Sequence, residues 1–310
     1  MNNTHTTAHD SDPCYHREVR HIKAELIINT GSRRSRTALP VIADACKQQS
    51  IDLVKITTLK KHTNLKKVIA AIKSRNPELV LVGGGDGTIS DAVDYFANSS
   101  IQVGVLPLGT TNNFARSLGL PLDLNDTIAT IRRGKATSVD LGKINDDLFV
   151  NVAGIGVSAQ IAKHVTNKLK KRFGRSAYAI SGITQLIRHK PFLATIEDKD
   201  SELQLHIETH QLIIANGRYH AGREIAKDAK IDNRELIIFA LGGKSKLSFI
   251  IAMADFYFGK RKNIRHASYL TGHSINLHTS TPQLVELDGE VKFTTPIPVE
   301  VAPGAVRIRH

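Results

Sequence analysis

Long apolar runs are missing from this 310-residue chain: no segment approaches the roughly 18 uninterrupted apolar residues of a membrane-spanning helix. Cysteine is scarce. Cys14 and Cys46 are the only two, too few for a disulfide framework, so a reducing, cytoplasmic setting is expected. The N-terminus (MNNTHTTAHDSDPCYHREVR) lacks an apolar core and is no secretory signal; residues 1–20 are expected to be a disordered tail. Zinc-finger spacing and an aromatic RNA-binding signature are both absent, so nucleic acid is not an expected partner. The 14 histidines are scattered, and none is assigned to a metal. No internal repeat or low-complexity linker separates the halves, which predicts a tight domain junction near 140–147.

Positive charge, by contrast, is in excess. The formal net charge is +13 and the pI about 9.7. Such a balance favours anionic partners, among them nucleotides and anionic lipid headgroups. Hydrophobic residues at 41% and charged residues at 23% are ordinary for a globular protein, and the length allows two domains.

From residue 24 onward, strand and helix patterns alternate. AELIINT (24–30) and ELVLVGG (78–84) read as buried strands, and IDLVKITTL (51–59) and IQVGVLP (101–107) as further strands. TALPVIADACKQQS (37–50), NLKKVIAAIKSRN (64–76) and TISDAVDYFANS (88–99) carry helical apolar spacing. This βαβα series predicts a mostly parallel α/β domain over 21–142, with its ligand site at the carboxyl ends of the strands. The last apolar strand, within 296–310, could return to complete it. After about residue 140 the texture changes. DLFVNVAGIG (147–156) is strand-like, and a basic segment with helical stretches and a break at Gly174 follows over 157–190. Then come short strands from FLATIED to VKFTTP, interrupted by a helix at 245–259. That density predicts an antiparallel, β-rich domain over 143–295.

Three motifs carry chemistry. GGGDGT (83–88) follows a buried strand and opens a helix, where glycines and unpaired N–H groups admit a phosphate. No Gly-Lys-Ser/Thr follows, so this is not a Walker A loop. Asp86 inside it is a candidate Mg²⁺ ligand or base, or simply the helix cap. PLGTTNNFAR (107–116) ends the next strand and would place Gly109 and Thr110 beside the first loop. ELDGE (286–290) offers Asp288 and Glu290 as a proton acceptor and a metal ligand, although on its own it reads first as an Asp-Gly hairpin turn between strand-like flanks.

These motifs occur in order with NVAGIG (151–156) and IIANGRYHAG (213–222). Together they resemble the diacylglycerol kinase catalytic-domain family, including its bacterial lipid-kinase branch and the sphingosine kinases, from about residue 24 to the C-terminus. The resemblance implies a β-sandwich second domain and an active site between the domains. It further implies ATP as co-substrate with Mg²⁺, and a membrane lipid as acceptor. Asn29 and Thr58 would lie beside the nucleotide, and Gly84, Gly85, Asp86, Gly87 and Thr88 would form the phosphate loop. Gly109, Thr110 and Asn112 match the second loop, and Asp140 an acidic position linked to a metal–water network. Asp288 matches the general base and Glu290 a metal ligand, with Asp86 as the alternative base.

Several positions depart from the family pattern. Thr30 replaces a proline, and Asn113 stands where an aspartate is usual. Ala221 and Arg223 interrupt a glycine run, and Asp232-Asn233-Arg234 replaces an Asp-Asp-Gly turn that often holds a structural metal. Two rival readings follow: a soluble-metabolite kinase of the NAD kinase type, which shares GGDGT, and a catalytically degenerate nucleotide- or lipid-binding module. Peripheral docking on an anionic membrane surface is expected, with Lys168, Lys170, Lys171 and Arg172 as first contacts and a homodimer as a possible assembly. Phe249–Phe258 could line a lipid-accessible surface, although such stretches are more often core.

Overall fold

Runs rich in β-branched residues and leucine become the first strands, and three of the four close on asparagine, glycine or proline. In the computed structural model, which describes residues 20–60, 62–164, 189–225, 230–258 and 267–310, they are β1 (Ile22–Asn29), β2 (Ile51–Leu59), β3 (Leu79–Gly84) and β4 (Gln102–Pro107). They pair in parallel in the order β2-β1-β3-β4. Every residue of β3 is buried, as a parallel strand covered on both faces requires. The expectations for the N-terminal tail, for Gly174 and for Lys168, Lys170, Lys171 and Arg172 concern residues outside the described ones.

The connections are helical. α1 (Arg33–Gln48) starts earlier than its apolar spacing suggests, because Ser32 caps it by accepting from the Ser35 N–H at 3.1 Å. α2 (Leu65–Arg75) lies between the Asn64 cap and Asn76, which closes it in the left-handed conformation. α3 (Asp86–Phe96) leaves β3 directly. α4 (Asn113–Ser117), α5 (Leu124–Arg133) and β5 (Ala136–Ile144) complete the first half; none of the three stands out in the sequence pattern. α1 and α5 bury one face of the parallel sheet, and α2 and α3 the other.

The second half continues with β6 (Asp147–Phe149), β7 (Val152–Gly156), α6 (Val157–His164), β8 (Phe192–Asp198), β9 (Gln204–Thr209), β10 (Gln211–Ala215), β11 (Tyr219–His220) and β12 (Arg223–Glu224). β13 (Leu236–Leu241), α7 (Lys246–Phe258), β14 (Ala267–Gly272), β15 (Ser274–Thr279), β16 (Leu284–Leu287), β17 (Glu290–Thr294) and β18 (Ile297–Arg309) follow. An antiparallel sheet in the order β14-β13-β10-β7-β16-β17 packs on β15, β8 and the first part of β18, with Phe149, Ile155, Ile196, Leu212 and Ile238 in the shared core. Each such side chain contributes about 1.5–3 kcal/mol by leaving water. The architecture is thus an α/β half followed by an antiparallel sandwich-like half, as the patterning predicts.

β18 joins the halves. Its first part pairs with β15 (Val299 opposite Ile275), and its last part runs parallel to β4 (Arg307 opposite Gln102). β5 accompanies it on both sides of a register shift. One sheet therefore runs from the parallel strands into the sandwich, which fixes how the two halves face each other. Among the described residues no helix is long and apolar enough to cross a membrane.

Candidate active site

The chain passes from β1 to β2 on one side and returns to β3 on the other, so the carboxyl ends of β1 and β3 diverge around a crevice. Asn29 bridges it. Its Nδ2 donates to Thr88 Oγ1 at 2.8 Å, and its Oδ1 accepts from the Gly31 N–H at 2.9 Å. Gly85 is the N-cap of α3 and makes no side-chain cap bond, so the amides of Asp86, Gly87 and Thr88 have no acceptor within the helix. A Cβ on Gly84 would lie 2.7 Å from Thr88 Cβ, and one on Gly109 would lie 2.8 Å from Gly85 Cα. A Cβ on Gly87 would meet nothing within 4 Å. Close backbone approach behind and open amides in front are what a polyphosphate needs.

Asp86 locks the second loop onto the first. Its carboxylate accepts from Thr111 Oγ1 at 2.5 Å, Asn112 N–H at 2.9 Å and Asn113 N–H at 2.6 Å. Asn112, only 2% exposed, folds its amide around Gly109, accepting from Gly109 N–H (2.8 Å) and donating to its carbonyl (3.1 Å). Arg34 Nη1 reaches the same carbonyl at 3.2 Å, which brings the start of α1 to this loop. Thr58, near the end of β2, and Thr110 are exposed.

Asp288 and Gly289 form the two-residue hairpin between β16 and β17, both with positive φ (47° and 97°). The hairpin and the functional reading of this motif are therefore compatible. The Asp288 carboxylate accepts from the Ser90 hydroxyl, from Val150 N–H at 2.7 Å, and from the N–H groups of Asn151 and Val152 at 3.0 Å each. These three amides turn toward the carboxylate at the link between β6 and β7, which is why DLFVNVAGIG forms two strands. Beneath the turn, Glu286 is 6% exposed and accepts from the Gly289 N–H. Burial pushes its carboxyl up to about 7, against the lowering effect of that hydrogen bond.

Between α3 and this hairpin lies a cleft lined by Gly87, Ser90, Asp91, Asp94, Asp288 and Glu290, with Lys292 at its edge. Asp91 and Asp94 are residues the motif reading misses. Their signal is a polar stripe, Gly87, Ser90, Asp91 and Asp94, at helical spacing opposite Ile89, Ala92, Val93 and Phe96. Asp91 is exposed as a residue, yet burial of its carboxyl and then the Glu290 charge push it up to about 6. Burial also raises Asp94. His220 on β11 lies within IIANGRYHAG, a motif whose reading gives it no role of its own. Burial lowers its pKa while the charges of Asp288 and then Asp86 oppose that, so it stands within reach of both motifs.

The pattern of the diacylglycerol kinase catalytic domain matches residues 23–144, and that of the YegS C-terminal NAD kinase beta sandwich-like domain matches residues 151–310. A diacylglycerol kinase of Staphylococcus epidermidis is 33% identical over 220 residues, covering 69% of this chain and 68% of that protein. The chain belongs to the diacylglycerol kinase family. The Bacillus subtilis diacylglycerol kinase is 29% identical over 219 residues, 70% of this chain and 72% of that one. A Synechocystis protein, sll0036, is 29% identical over 286 residues; the match covers 84% of this chain and 64% of the relative's length. A crystal structure of a diacylglycerol kinase from Bacillus anthracis shares the fold, with a TM-score of 0.70 at 20% identity over 94% of this chain and 97% of that one.

The departures from the diacylglycerol kinase pattern now have physical content. Thr30 donates its N–H to the Leu59 carbonyl at 3.2 Å, a bond proline could not make. Asn113 Oδ1 accepts from Gly222 N–H at 2.8 Å and so ties the second loop to the β11–β12 turn. Asp140, 5% exposed, accepts from Arg234 N–H and Gly304 N–H, both at 2.7 Å, and is not among the residues lining the cleft. Its carboxylate holds the 232–234 turn directly. Of the three carboxylates expected to hold Mg²⁺, Asp86 and Asp140 thus have oxygens taken up by protein donors, while Glu290 is exposed at the cleft. Among the described residues no group of three or more ligating side chains is gathered for a metal. Mg²⁺ that arrives with a nucleotide needs only one or two carboxylates beside phosphate and water, and Glu290 fits that demand.

Ala221 and Arg234 occupy positions where the family usually has glycine, and both keep the left-handed conformation, at φ 50° and 60°. That costs a side-chain-bearing residue roughly 1–2 kcal/mol, part of which glycine's greater chain entropy offsets. Ala221→Gly and Arg234→Gly should each raise stability by about 0.5–1 kcal/mol, read as a small rise in Tm; a lower Tm in both would contradict the strain argument.

Proposed function

We propose that this protein transfers the γ-phosphoryl group of ATP to a hydroxyl of a diacylglycerol-like membrane lipid. The observation that carries the reading is one cleft in which the open face of Gly87 and the carboxylates of Asp91, Asp288 and Glu290 meet. The amides of Asp86, Gly87 and Thr88 bind phosphate oxygens, and Asn29 orients Thr88 beside them. Thr58 and Thr110 flank the nucleotide, and Gly109 lets the second loop close on it. Glu290 would hold a Mg²⁺ that arrives with the nucleotide, and that ion would supply charge neutralisation for the phosphates. The bond from the γ-phosphorus to the leaving ADP oxygen breaks. The lipid oxygen forms the new P–O bond and releases its proton to a carboxylate.

Asp91 is that acceptor in this reading. The oxygens of Asp288 already take four donors, whereas no hydrogen bond to the Asp91 carboxylate occurs among the described residues. Asp288, the acceptor the family resemblance suggested, then positions the turn that carries Glu290. The protein works peripherally, at the cytoplasmic face of a membrane.

The test is incubation with γ-labelled ATP and a panel of lipids, followed by organic extraction. Label should enter the organic phase with a lipid that carries a free hydroxyl. Label confined to a soluble nucleotide would favour a kinase of the NAD kinase type. ATP binding without any transfer would favour a degenerate module.

A further inference from the structure

α7 presents apolar side chains on both of its faces. Phe249, Ala252 and Phe256 are buried against Phe239 and Ile213 of the antiparallel sheet. On the opposite side Leu247, Ile250, Ile251 and Ala254 recur at helical spacing with no charged residue between them on that stripe. Leu247 is 67% exposed and Ile250 47%. A surface helix of a water-facing protein normally carries Lys or Glu there. Tyr269 of β14, 56% exposed, lies beside the helix: the Phe239 ring centroid is 5.4 Å from it and 5.0 Å from that of Phe256 on the inner face of α7.

Cations flank the stripe. The Lys244 side chain is 88% exposed, with Glu208 4.0 Å away, and Lys246 is exposed at the start of the helix. The sequence after the helix, Gly-Lys-Arg-Lys-Asn-Ile-Arg, continues the positive charge. We propose that the outer face of α7 docks on an anionic phospholipid bilayer, with Leu247 and Ile250 entering the acyl boundary, Tyr269 at headgroup level and Lys244 and Lys246 on the phosphates. Apolar face, amphipathic aromatic and basic flank are the three components of interfacial binding. A second copy would also cover the apolar stripe, but an anionic bilayer in addition meets the exposed Lys244 and Lys246 beside it. Docking here also suits the proposed chemistry. α6 and α7 cover one face of the antiparallel sheet, and in the β13-β10-β7-β16 order the strand under α7, β13, lies about 14 Å across the sheet from β16, which leads into Asp288.

The choice of a bilayer as occupant rests on the lipid-kinase reading, but its test needs neither nucleotide nor turnover. The chain has no tryptophan, so Ile250→Trp is a single reporter. On addition of vesicles rich in phosphatidylglycerol its emission should shift to the blue and be quenched by brominated acyl chains. The same reporter at Leu203, 58% exposed on the β8–β9 turn, should not respond. The Leu247→Gln/Ile250→Gln double variant should sediment with these vesicles at least tenfold less than the parent, while Leu203→Gln matches the parent. All three substituted positions are exposed, and unchanged melting confirms folding. Emission from Ile250→Trp that is indifferent to vesicles overturns the proposal, as does parent-like sedimentation of the double variant. So does a double variant that converts a dimer to a monomer without losing vesicle binding, which would make the face a self-association surface. A protein that binds vesicles and phosphorylates nothing would keep this docking and lose the kinase reading. One that phosphorylates detergent-dispersed lipid without binding vesicles would do the reverse.

Discussion

Asp288→Asn should lower lipid phosphorylation by about two to three orders of magnitude while leaving ATP affinity near that of the parent. The phosphate loop and the second loop do not depend on Asp288: their mutual lock is Asp86, through Thr111, Asn112 and Asn113. The hairpin depends on it heavily. Both carboxylate oxygens accept, from Ser90 and Val150 on one and from Asn151 and Val152 on the other. Asparagine keeps one such oxygen and turns an NH₂ group onto two donors. At least one backbone amide is then buried without a partner, at about 1–3 kcal/mol each. The variant should therefore lose stability together with turnover. Ser90→Ala removes one donor and leaves the three amides in place, so its loss of turnover should be about tenfold or less. Parent-like turnover in Asp288→Asn would remove this residue from both the acceptor and the positioning role. An activity loss without any loss of stability would return it to the acceptor role.

The parts of the site legible in the sequence are those made by local chain geometry. A buried β-branched run ending in GGGDGT can be read as strand, phosphate loop and helix, because glycine and the helix start lie within six residues. The parallel order follows from the alternation of strand and helix, and the LDGE hairpin from an Asp-Gly pair between strands. What was not legible is made by residues far apart in sequence. The Asp288 carboxylate finds its amides 136–138 residues away, and periodicity says nothing about such a pairing. Likewise Asp140 reads as an acidic site residue by its motif but is used inside the fold, with its oxygens on Arg234 and Gly304. β5 pairs along most of its length with β18 at the far end of the chain and only briefly with its neighbour β6, so little of its pairing is local. Asp91 was hidden for another reason: in an amphipathic helix an aspartate on the polar stripe looks like solvation until a second element closes over it.

Asp91→Asn should separate chemistry from stability in the opposite sense to Asp288→Asn. The carboxyl is pushed up to about 6, by burial first and then by Glu290, with Lys292 opposing. An acceptor whose pKa lies just below the working pH is ionised and still basic enough to take a proton. In the parent, kcat/KM should rise with pH through an acid limb near or below 6, since a cation held at Glu290 would lower that value. In Asp91→Asn this limb should vanish, with turnover down by about two to three orders of magnitude and ATP affinity near that of the parent. The stability sign follows from linkage. The folded state binds this proton more tightly than the unfolded chain, whose aspartate titrates near 3.8, so ionising Asp91 costs stability progressively between about 4 and 6. The asparagine variant should thus melt no lower than the parent at about pH 7.5 and should show no such gain at about pH 4. Lys292→Gln removes the cation that opposes this rise and should move the acid limb to higher pH. If the limb survives unchanged in Asp91→Asn and instead disappears in Asp288→Asn, the proton passes to Asp288, and the four donors around it serve to hold a base in place.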